Sequence, residues 1–208
     1  MHYGTDLSDN QDLGAIDWAA AYADLAARGG GDRPFVMLKV IQGLGIVTPN
    51  LQVVLAAIRA AGFAVGGYLM DEGTADPVAE QAKYTALVGA LPEADDDELP
   101  EGLSTSEYIA HLATLIAANP AALQYLDVAE YQEGFHIAAG LWLAQWNGLP
   151  GVTSYPCLMH QFSDGGPVDG IPSDVDLDVW LGSEAQFESF FAVTPAPSFV
   201  PMLVLNNA

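Results

Sequence analysis

The segment 34–41 constrains the fold of this chain more than any other. It reads Pro-Phe-Val-Met-Leu-Lys-Val-Ile, an apolar run interrupted by a single lysine and followed closely by Gly43. A strand with one face in water alternates apolar and polar residues, whereas a nearly continuous apolar run is typical of a strand buried on both faces. Strands of this kind occur in parallel sheets covered by helices. The segment therefore predicts an α/β fold.

Strand-like and helix-like segments alternate along most of the chain. Thr48 is predicted to cap the second helix with Pro49 in its first turn, and the third helix is predicted to turn Ala79, Ala82 and Leu87 inward. The predicted strands are 3–7, 34–41, 63–70, 122–128, 140–146, 158–162 and 176–180, with a further strand expected near 95–98. The predicted helices are 17–28, 50–61, 75–89, 105–118 and 183–191.

This alternation implies parallel strands joined by right-handed crossovers. At 208 residues and 51% apolar composition, the chain can bury one full core. It is shorter than the ~250 residues usual for an eightfold barrel. We therefore predict a single irregular or abbreviated TIM-like (β/α) barrel over residues 1–191, followed by an apolar, proline-containing tail over 192–208.

The charge balance excludes several classes of partner. Five Lys and Arg stand against 27 Asp and Glu, a formal net charge of −22. Nucleic acids and anionic membrane surfaces both attract basic proteins, so neither is an expected partner. The N-terminal residues show no secretory signal pattern, and no stretch is apolar enough to span a membrane. With one cysteine, Cys157, the chain can form no internal disulfide and no cysteine-based zinc site. We expect no metal site and no cofactor.

The acidic segment 95–98, Asp-Asp-Asp-Glu, falls where the fourth strand is expected. A solvated loop is the simplest interpretation of such a run. In an extended segment, however, Asp96 and Glu98 would point to the same face, about 6.5–7 Å apart. When two carboxyl groups lie this close together, their pKa values separate. One group then keeps its proton and acts as an acid, while the other stays charged. Most glycosidases use such a pair.

Two further acids follow the same logic. Asp6 ends the first predicted strand and Asp176 lies near the last one. Active sites of (β/α) barrels lie at the C-terminal ends of the strands. We therefore expect Asp6, Asp176 and the 95–98 segment to meet in one site.

Several motifs, in the correct order, resemble glycoside hydrolase family 25, the Chalaropsis-type lysozymes (N-acetylmuramidases) that are common as bacteriophage endolysins. The resemblance covers about residues 3–190. The motifs are Gly-Thr-Asp-Leu-Ser-Asp-Asn-Gln at 4–11, Ile-Asp-Trp at 16–18, the apolar strand at 35–40, Ala-Gly-Phe-Ala-Val-Gly-Gly-Tyr at 61–68, Asp-Asp-Glu at 96–98, Leu-Trp-Leu-Ala-Gln-Trp at 141–146, and the closing segments at 161–164, 168–171 and 175–179.

The resemblance implies cleavage of the β-1,4 bond between N-acetylmuramic acid and N-acetylglucosamine in peptidoglycan glycan strands. Glu98 would be the general acid. Asp96 would be its charged partner, which either stabilises the oxocarbenium-like transition state or orients the substrate N-acetyl group for attack. The register of the motif leaves open that Asp95 or Asp97 takes the place of Asp96.

The resemblance also places Asp6 and Asp176 on the floor of the site, where they would tune the pKa values of the catalytic pair and bind sugar hydroxyls. The further candidates for the sugar cleft are Tyr68, Trp142, Gln145 and Gln161. For the two aromatic residues among them, packing in the core is an equal alternative.

Two functions are compatible with these features. The first is an active, phage-encoded muramidase, made in the host cytoplasm and acting at the bacterial cell wall, either free or carried on a virion. The second is a weak or inactive barrel that serves as a structural or binding module of a phage particle, through its acidic surface and residues 195–208. The clustered acids favour the enzyme, whereas the charge and the tail favour the module.

Overall fold

The computed structural model describes residues 1–73, 75–96 and 103–192. Its strands are β1 (Tyr3–Leu7), β2 (Phe35–Gln42), β3 (Ile46–Val47), β4 (Ala64–Met70), β5 (Glu93–Asp96), β6 (Leu123–Asp127), β7 (Gly140–Ala144), β8 (Met159–Gly166) and β9 (Val175–Trp180). Its helices are α1 (Trp18–Arg28), α2 (Leu51–Ala61), α3 (Pro77–Val88), α4 (Thr105–Ala118), α5 (Val128–Glu133) and α6 (Glu184–Phe190). Within these ranges no helix combines the length and the apolar character needed to cross a bilayer.

The strands close into a barrel, as predicted. Neighbouring strands follow the order β1-β9-β8-β7-β6-β5-β4-β2, and β1 pairs with β2 to complete the circle. The short strand β3 only extends the edge of β2. The helices α1 to α4 each lie between two consecutive barrel strands in the chain, so the α/β, TIM-like barrel is confirmed.

One strand breaks the parallel pattern. All barrel pairings from β1 and β2 round to β7 and β8 are parallel, but β9 is antiparallel to both of its neighbours. The expectation of parallel strands throughout is therefore wrong for β9. The connection between Gly166 and Val175 is too short for a crossover helix, so the chain turns back as a hairpin. As a result, the N-terminal end of β9 lies beside the C-terminal ends of the parallel strands.

The core has an inner and an outer part, because successive side chains of a strand point to opposite faces. Phe35 and Met37 of β2 belong to the inner cluster, whereas Val36 and Leu38 belong to the cluster beneath the helices. All four side chains are fully buried. This two-sided burial is what the apolar run at 34–41 predicts. Across the barrel wall, a Cβ atom at Gly4 would lie 2.4 Å from the ring of Phe35, so β1 can approach β2 here only with glycine.

The predicted cap of α2 is wrong. Thr48 is buried, and its hydroxyl donates to the backbone carbonyl of Lys39 in β2 rather than capping the helix. The residue that precedes the helix is Asn50, which has a left-handed backbone with φ of 54°. Thr48 therefore ties the turn to the barrel. By contrast, Asp17 lies at the predicted start of the first helix, where it caps α1 and accepts from the backbone N–H groups of Ala19 and Ala20.

The predicted inner face of α3 is confirmed only in part. Leu87 is half-buried and packs against the core, but Ala82 is exposed. The buried residues of the helix are Glu80, Gln81 and Tyr84. The reason is the strand on which α3 packs. The outward side chains of β5 are Glu93 and Asp95, which are 4% and 0% exposed. A polar strand face requires a polar helix face, and Gln81 donates a hydrogen bond to Glu93 (2.8 Å).

Candidate active site

A polar pocket of about 250 Å³ lies at the end of the barrel where the parallel strands finish. It contains six of the eight residues that the sequence analysis singled out. The lining residues are Asp6, Ser8, Asn10, Gln11, Lys39, Tyr68, Met70, Asp96, Tyr125, Trp142, Trp146, Gln161 and Asp176.

Three carboxylates surround this pocket. Asp6, near the end of β1, stands directly opposite Asp176 in the antiparallel β1–β9 ladder. Asp176 reaches this end of the barrel because β9 runs in the reverse direction. Asp96 ends β5, where it pairs with Met70 of β4 and Tyr125 of β6. Residues from the beginning, middle and end of the chain thus meet at one place.

The structure also places the two described members of the 95–98 segment. Asp96 lines the pocket, whereas Asp95 points to the opposite face of β5 and is fully buried. Burial and the nearby charge of Glu93 raise the pKa of Asp95 well above its usual range. Of the two, only Asp96 is therefore placed to meet a substrate. Asp97 and Glu98 lie outside the described residues.

Gln161 links Asp6 to the aromatic side of the pocket. Its amide N–H donates to Asp6 Oδ2 (2.8 Å). Its carbonyl oxygen accepts from the Tyr125 hydroxyl (2.8 Å) and from the Trp146 indole N–H (2.6 Å). Two donors on the oxygen fix the orientation of the amide, so its N–H is held towards Asp6. Gln161 thus positions Asp6.

A fourth acid, Asp178, lies beneath the pocket and was missed by the sequence analysis. It is fully buried and accepts from the Trp142 indole N–H (2.8 Å). Burial raises the pKa of Asp178 well above its usual range, and the charge of Asp6 together with a hydrogen bond to Asp6 adds to this effect. The raised pKa favours the protonated form of Asp178, which can donate a hydrogen bond to Asp6. Asp178 could have been identified from the sequence by its two-residue spacing from Asp176, because this spacing puts both side chains on the inner face of β9.

The aromatic residues divide into floor and rim. Trp142 is 2% exposed, and its ring meets that of Tyr125 edge-on with centroids 4.8 Å apart. Tyr68, 6% exposed, packs edge-on against Trp142 from another side. These rings form the floor. Trp146 is 54% exposed at the rim and offers the ring surface that a bound molecule could cover.

Gln145 does not line the pocket. Its side-chain amide donates to the Ser154 hydroxyl (3.0 Å), and its side-chain oxygen accepts from the Ser154 backbone N–H (2.8 Å). Both bonds hold the loop that follows β7. The structure thus gives Gln145 a role in shaping the loop that carries Trp146.

The pocket also holds a positive charge that the sequence analysis did not consider. Lys39 is 5% exposed, and its ammonium group lies 2.5 Å from Asp9 Oδ1. The hydrogen bond from Lys39 lowers the pKa of Asp9 below its usual range. The sequence feature that indicates this charge is the lysine within the apolar run at 34–41, since a buried lysine needs a polar partner.

No protein-family profile matches the chain, and no curated protein matches it in sequence. Solved structures do match. A bacterial lysozyme from Streptomyces coelicolor is 22% identical, with a TM-score of 0.74 over 91% of this chain and 96% of that one. A family 25 lysozyme from Aspergillus fumigatus is 19% identical, with a TM-score of 0.71 over 91% of this chain and 98% of that one.

The catalytic domain of a bacteriophage endolysin, from a phage of Listeria monocytogenes, is 17% identical, with a TM-score of 0.69 over 93% of this chain and 98% of that one. At such identities the likeness concerns the fold. The chain therefore has the barrel fold of the lysozymes and muramidases of glycoside hydrolase family 25.

Proposed function

We propose that this chain is a peptidoglycan hydrolase, an N-acetylmuramidase of glycoside hydrolase family 25. In this proposal it cleaves the β-1,4 bond between N-acetylmuramic acid and N-acetylglucosamine. The observation that carries the proposal is the pocket at the C-terminal end of the barrel strands, where Asp6, Asp96 and Asp176 meet. The shared fold with solved lysozymes supports it.

The proposed chemistry needs one acid and one charged partner. Glu98, two positions beyond Asp96, gives its proton to the glycosidic oxygen as the bond from that oxygen to the sugar C1 breaks. Asp96 stays charged and either stabilises the oxocarbenium-like state or holds the N-acetyl group whose oxygen attacks C1. Water then supplies the hydroxyl at C1 and returns a proton to the enzyme.

The remaining acids set the conditions for that pair. Asp6 and Asp176 line the pocket wall opposite β5, where their carboxylates can accept hydrogen bonds from sugar hydroxyls. The raised pKa of Asp178 favours its protonated form, which limits the negative charge that gathers below the substrate. Lys39 offsets part of that charge from the side of β2. A pocket in which negative and positive charges offset each other in this way allows one acid to be ionised while a neighbouring acid keeps its proton. In the proposal, the ionised acid is Asp96.

We expect Trp146 to bind a sugar ring through its exposed face. Trp146→Ala should raise the KM for soluble glycan fragments by up to about tenfold, since an aromatic contact contributes about 0.5–1.5 kcal/mol. Trp146→Phe is the matched control, because it keeps an aromatic face but loses the N–H that bonds Gln161. A KM near the native value for Trp146→Phe is expected. If both variants raise KM equally, the hydrogen bond rather than the ring face is responsible.

The phage origin is the finer part of the proposal. The endolysin domain among the structural neighbours favours it. In that case the chain is made in the host cytoplasm and acts at the cell wall. Attachment to a phage particle through residues 195–208 stays a prediction, because residues 193–208 lie outside the described part of the chain.

The proposal is tested by incubating the full chain with purified peptidoglycan from several wall types and at several salt concentrations. New reducing ends are labelled and identified by mass spectrometry. Muramic acid at the new ends is the expected result. Glucosamine ends would show that a different bond is cleaved. Release of neither sugar from any wall would reject the enzyme in favour of the structural or binding module.

A further inference from the structure

A second cluster of ionisable side chains lies outside the barrel, between β4, β5 and the helices α3 and α4. It consists of Asp71, directly after β4, Glu80 on α3 and His111 on α4. Asp71 and Glu80 are fully buried, and the side chain of His111 is 10% exposed. None of the three lines the pocket of the proposed active site. The cluster therefore needs an explanation of its own.

The three side chains point towards a common centre. One ligand atom from each of them lies within 4.8 Å of the other two. The closest approach is 2.8 Å, between His111 Nε2 and Asp71 Oδ2. Although these two atoms are close, neither has a partner in hydrogen-bond geometry among the described residues.

Glu80 is the second, independent sign of a ligand. It is fully buried, and neither of its carboxylate oxygens accepts a hydrogen bond from any described residue. Burial and the charges of Glu93, Asp71 and Glu80 raise the pKa of Asp95, which is fully buried near the same cluster. Buried carboxylates without donors are costly unless a cation or a proton compensates them. Lys83 of α3 does not do so, because its ammonium group donates to the Leu44 carbonyl.

We propose that Asp71, Glu80 and His111 bind one divalent transition-metal ion, with Zn²⁺ as the best match. Carboxylate oxygens and imidazole nitrogens are both zinc ligands, and three of them leave a fourth tetrahedral position for water. Ca²⁺ and Mg²⁺ prefer oxygen ligands alone, so the imidazole selects against them. Ligand atoms around one zinc ion stand about 3–3.5 Å apart, at bond lengths of about 2.0–2.2 Å. The cluster reaches this spacing with shifts of about 1 Å.

The ion has a clear structural consequence. The backbone N–H of Asp71 donates to the carbonyl of Asp96 (2.8 Å), so the end of β4 is already fixed to the end of β5. A metal ion on Asp71 joins α3 and α4 to this same point. It would stabilise the fold beside Asp96 without touching a substrate in the pocket. The inference therefore does not depend on the proposed hydrolase activity.

The test uses the full chain, freed of metal with EDTA, dialysed and titrated with Zn²⁺ by calorimetry. We expect one zinc ion per chain, confirmed by elemental analysis after desalting. Binding to the folded state should raise Tm by about 5–10 °C at a hundredfold excess over Kd. Ca²⁺ and Mg²⁺ at the same concentrations should give no comparable rise.

Two variants assign the site. Glu80→Gln and His111→Gln should both lose zinc uptake and the zinc-dependent rise in Tm. Glu80→Gln keeps the shape of the buried side chain, so its metal-free form should stay folded by circular dichroism. His136→Gln is the matched control for the second histidine and should bind zinc like the native chain. If the native chain takes up no zinc, or if both variants take up as much as the native chain, the cluster holds protons and the proposal is overturned.

Discussion

Asp96→Asn is expected to lower the rate of glycan cleavage by about 10²–10³-fold, the usual cost of removing a group that stabilises charge in the transition state. Asp95→Asn, one residue earlier, is expected to keep most of the activity. The two acids lie on opposite faces of β5, with Asp96 at the pocket and Asp95 buried outside the barrel. Burial raises the pKa of Asp95 well above its usual range, which favours the protonated form that asparagine resembles.

The measurement is kcat/KM for release of reducing ends, with circular dichroism and Tm recorded for each variant. Equal losses in both variants, together with a lower Tm, would mean that the fold of β5 and not the charge of Asp96 is at issue. Full activity of Asp96→Asn would place the charged partner elsewhere, with Asp97 as the remaining candidate of the segment.

Glu98→Gln completes this test. Loss of a general acid lowers the rate by about 10²–10⁴-fold, so this variant should be at least as inactive as Asp96→Asn. It should also leave Tm and the binding of glycan fragments close to native values, because glutamine keeps the size and the hydrogen-bonding oxygen of the side chain. Substantial activity of Glu98→Gln would remove Glu98 from the mechanism.

The chain is expected to be more stable at pH 5 than at pH 8. Burial raises the pKa of Glu80 to about 8 and that of Glu93 to about 7. In the unfolded chain glutamates titrate near their ordinary pKa of about 4.3. Between that value and pH 8 the folded chain binds protons that the unfolded chain has released. Stability is therefore full below the unfolded pKa and is lost as pH rises through the folded values.

The combined effect is on the order of a few kcal/mol, which corresponds to a fall in Tm of about 10 °C for a chain of this size. Thermal unfolding at pH 5, 6, 7 and 8, at constant ionic strength and with EDTA, measures it. Glu93→Gln should make the fall shallower, because Gln81 and Asn119 can still donate to the new side-chain oxygen. Glu188→Gln, at an exposed position, should leave the profile unchanged. A Tm that rises over this range would contradict the prediction.

The barrel could be predicted from the sequence because each strand has a recognisable pattern of apolar and polar residues. The run at 34–41 is apolar except for Lys39, because β2 is covered on both faces. The two-residue period of a strand likewise predicts that Asp95 and Asp96 point in opposite directions, although only the structure shows which of them enters the pocket. Such features follow from a few neighbouring residues.

Other features depend on residues far apart in the chain, so no pattern among neighbouring residues predicts them. The strand β5 resembles a solvated loop in sequence, yet Glu93 is buried because Gln81 of α3 and Asn119 after α4 donate to it. Asp178 is buried because Trp142 donates to it from another strand. Thr48 resembles a helix cap in sequence, but in the structure its hydroxyl donates to the carbonyl of Lys39. In each case the decisive partner belongs to a different element.

The antiparallel course of β9 has a consequence for synthesis on the ribosome. Strand β1 is made first, but one of its two partners in the barrel, β9, is among the last elements to emerge. Contacts between segments so distant in the chain form late and slow the folding reaction. Because Asp6 and Asp176 face each other across this seam, a nascent chain gains its complete acidic pocket only after the final strand has left the exit tunnel.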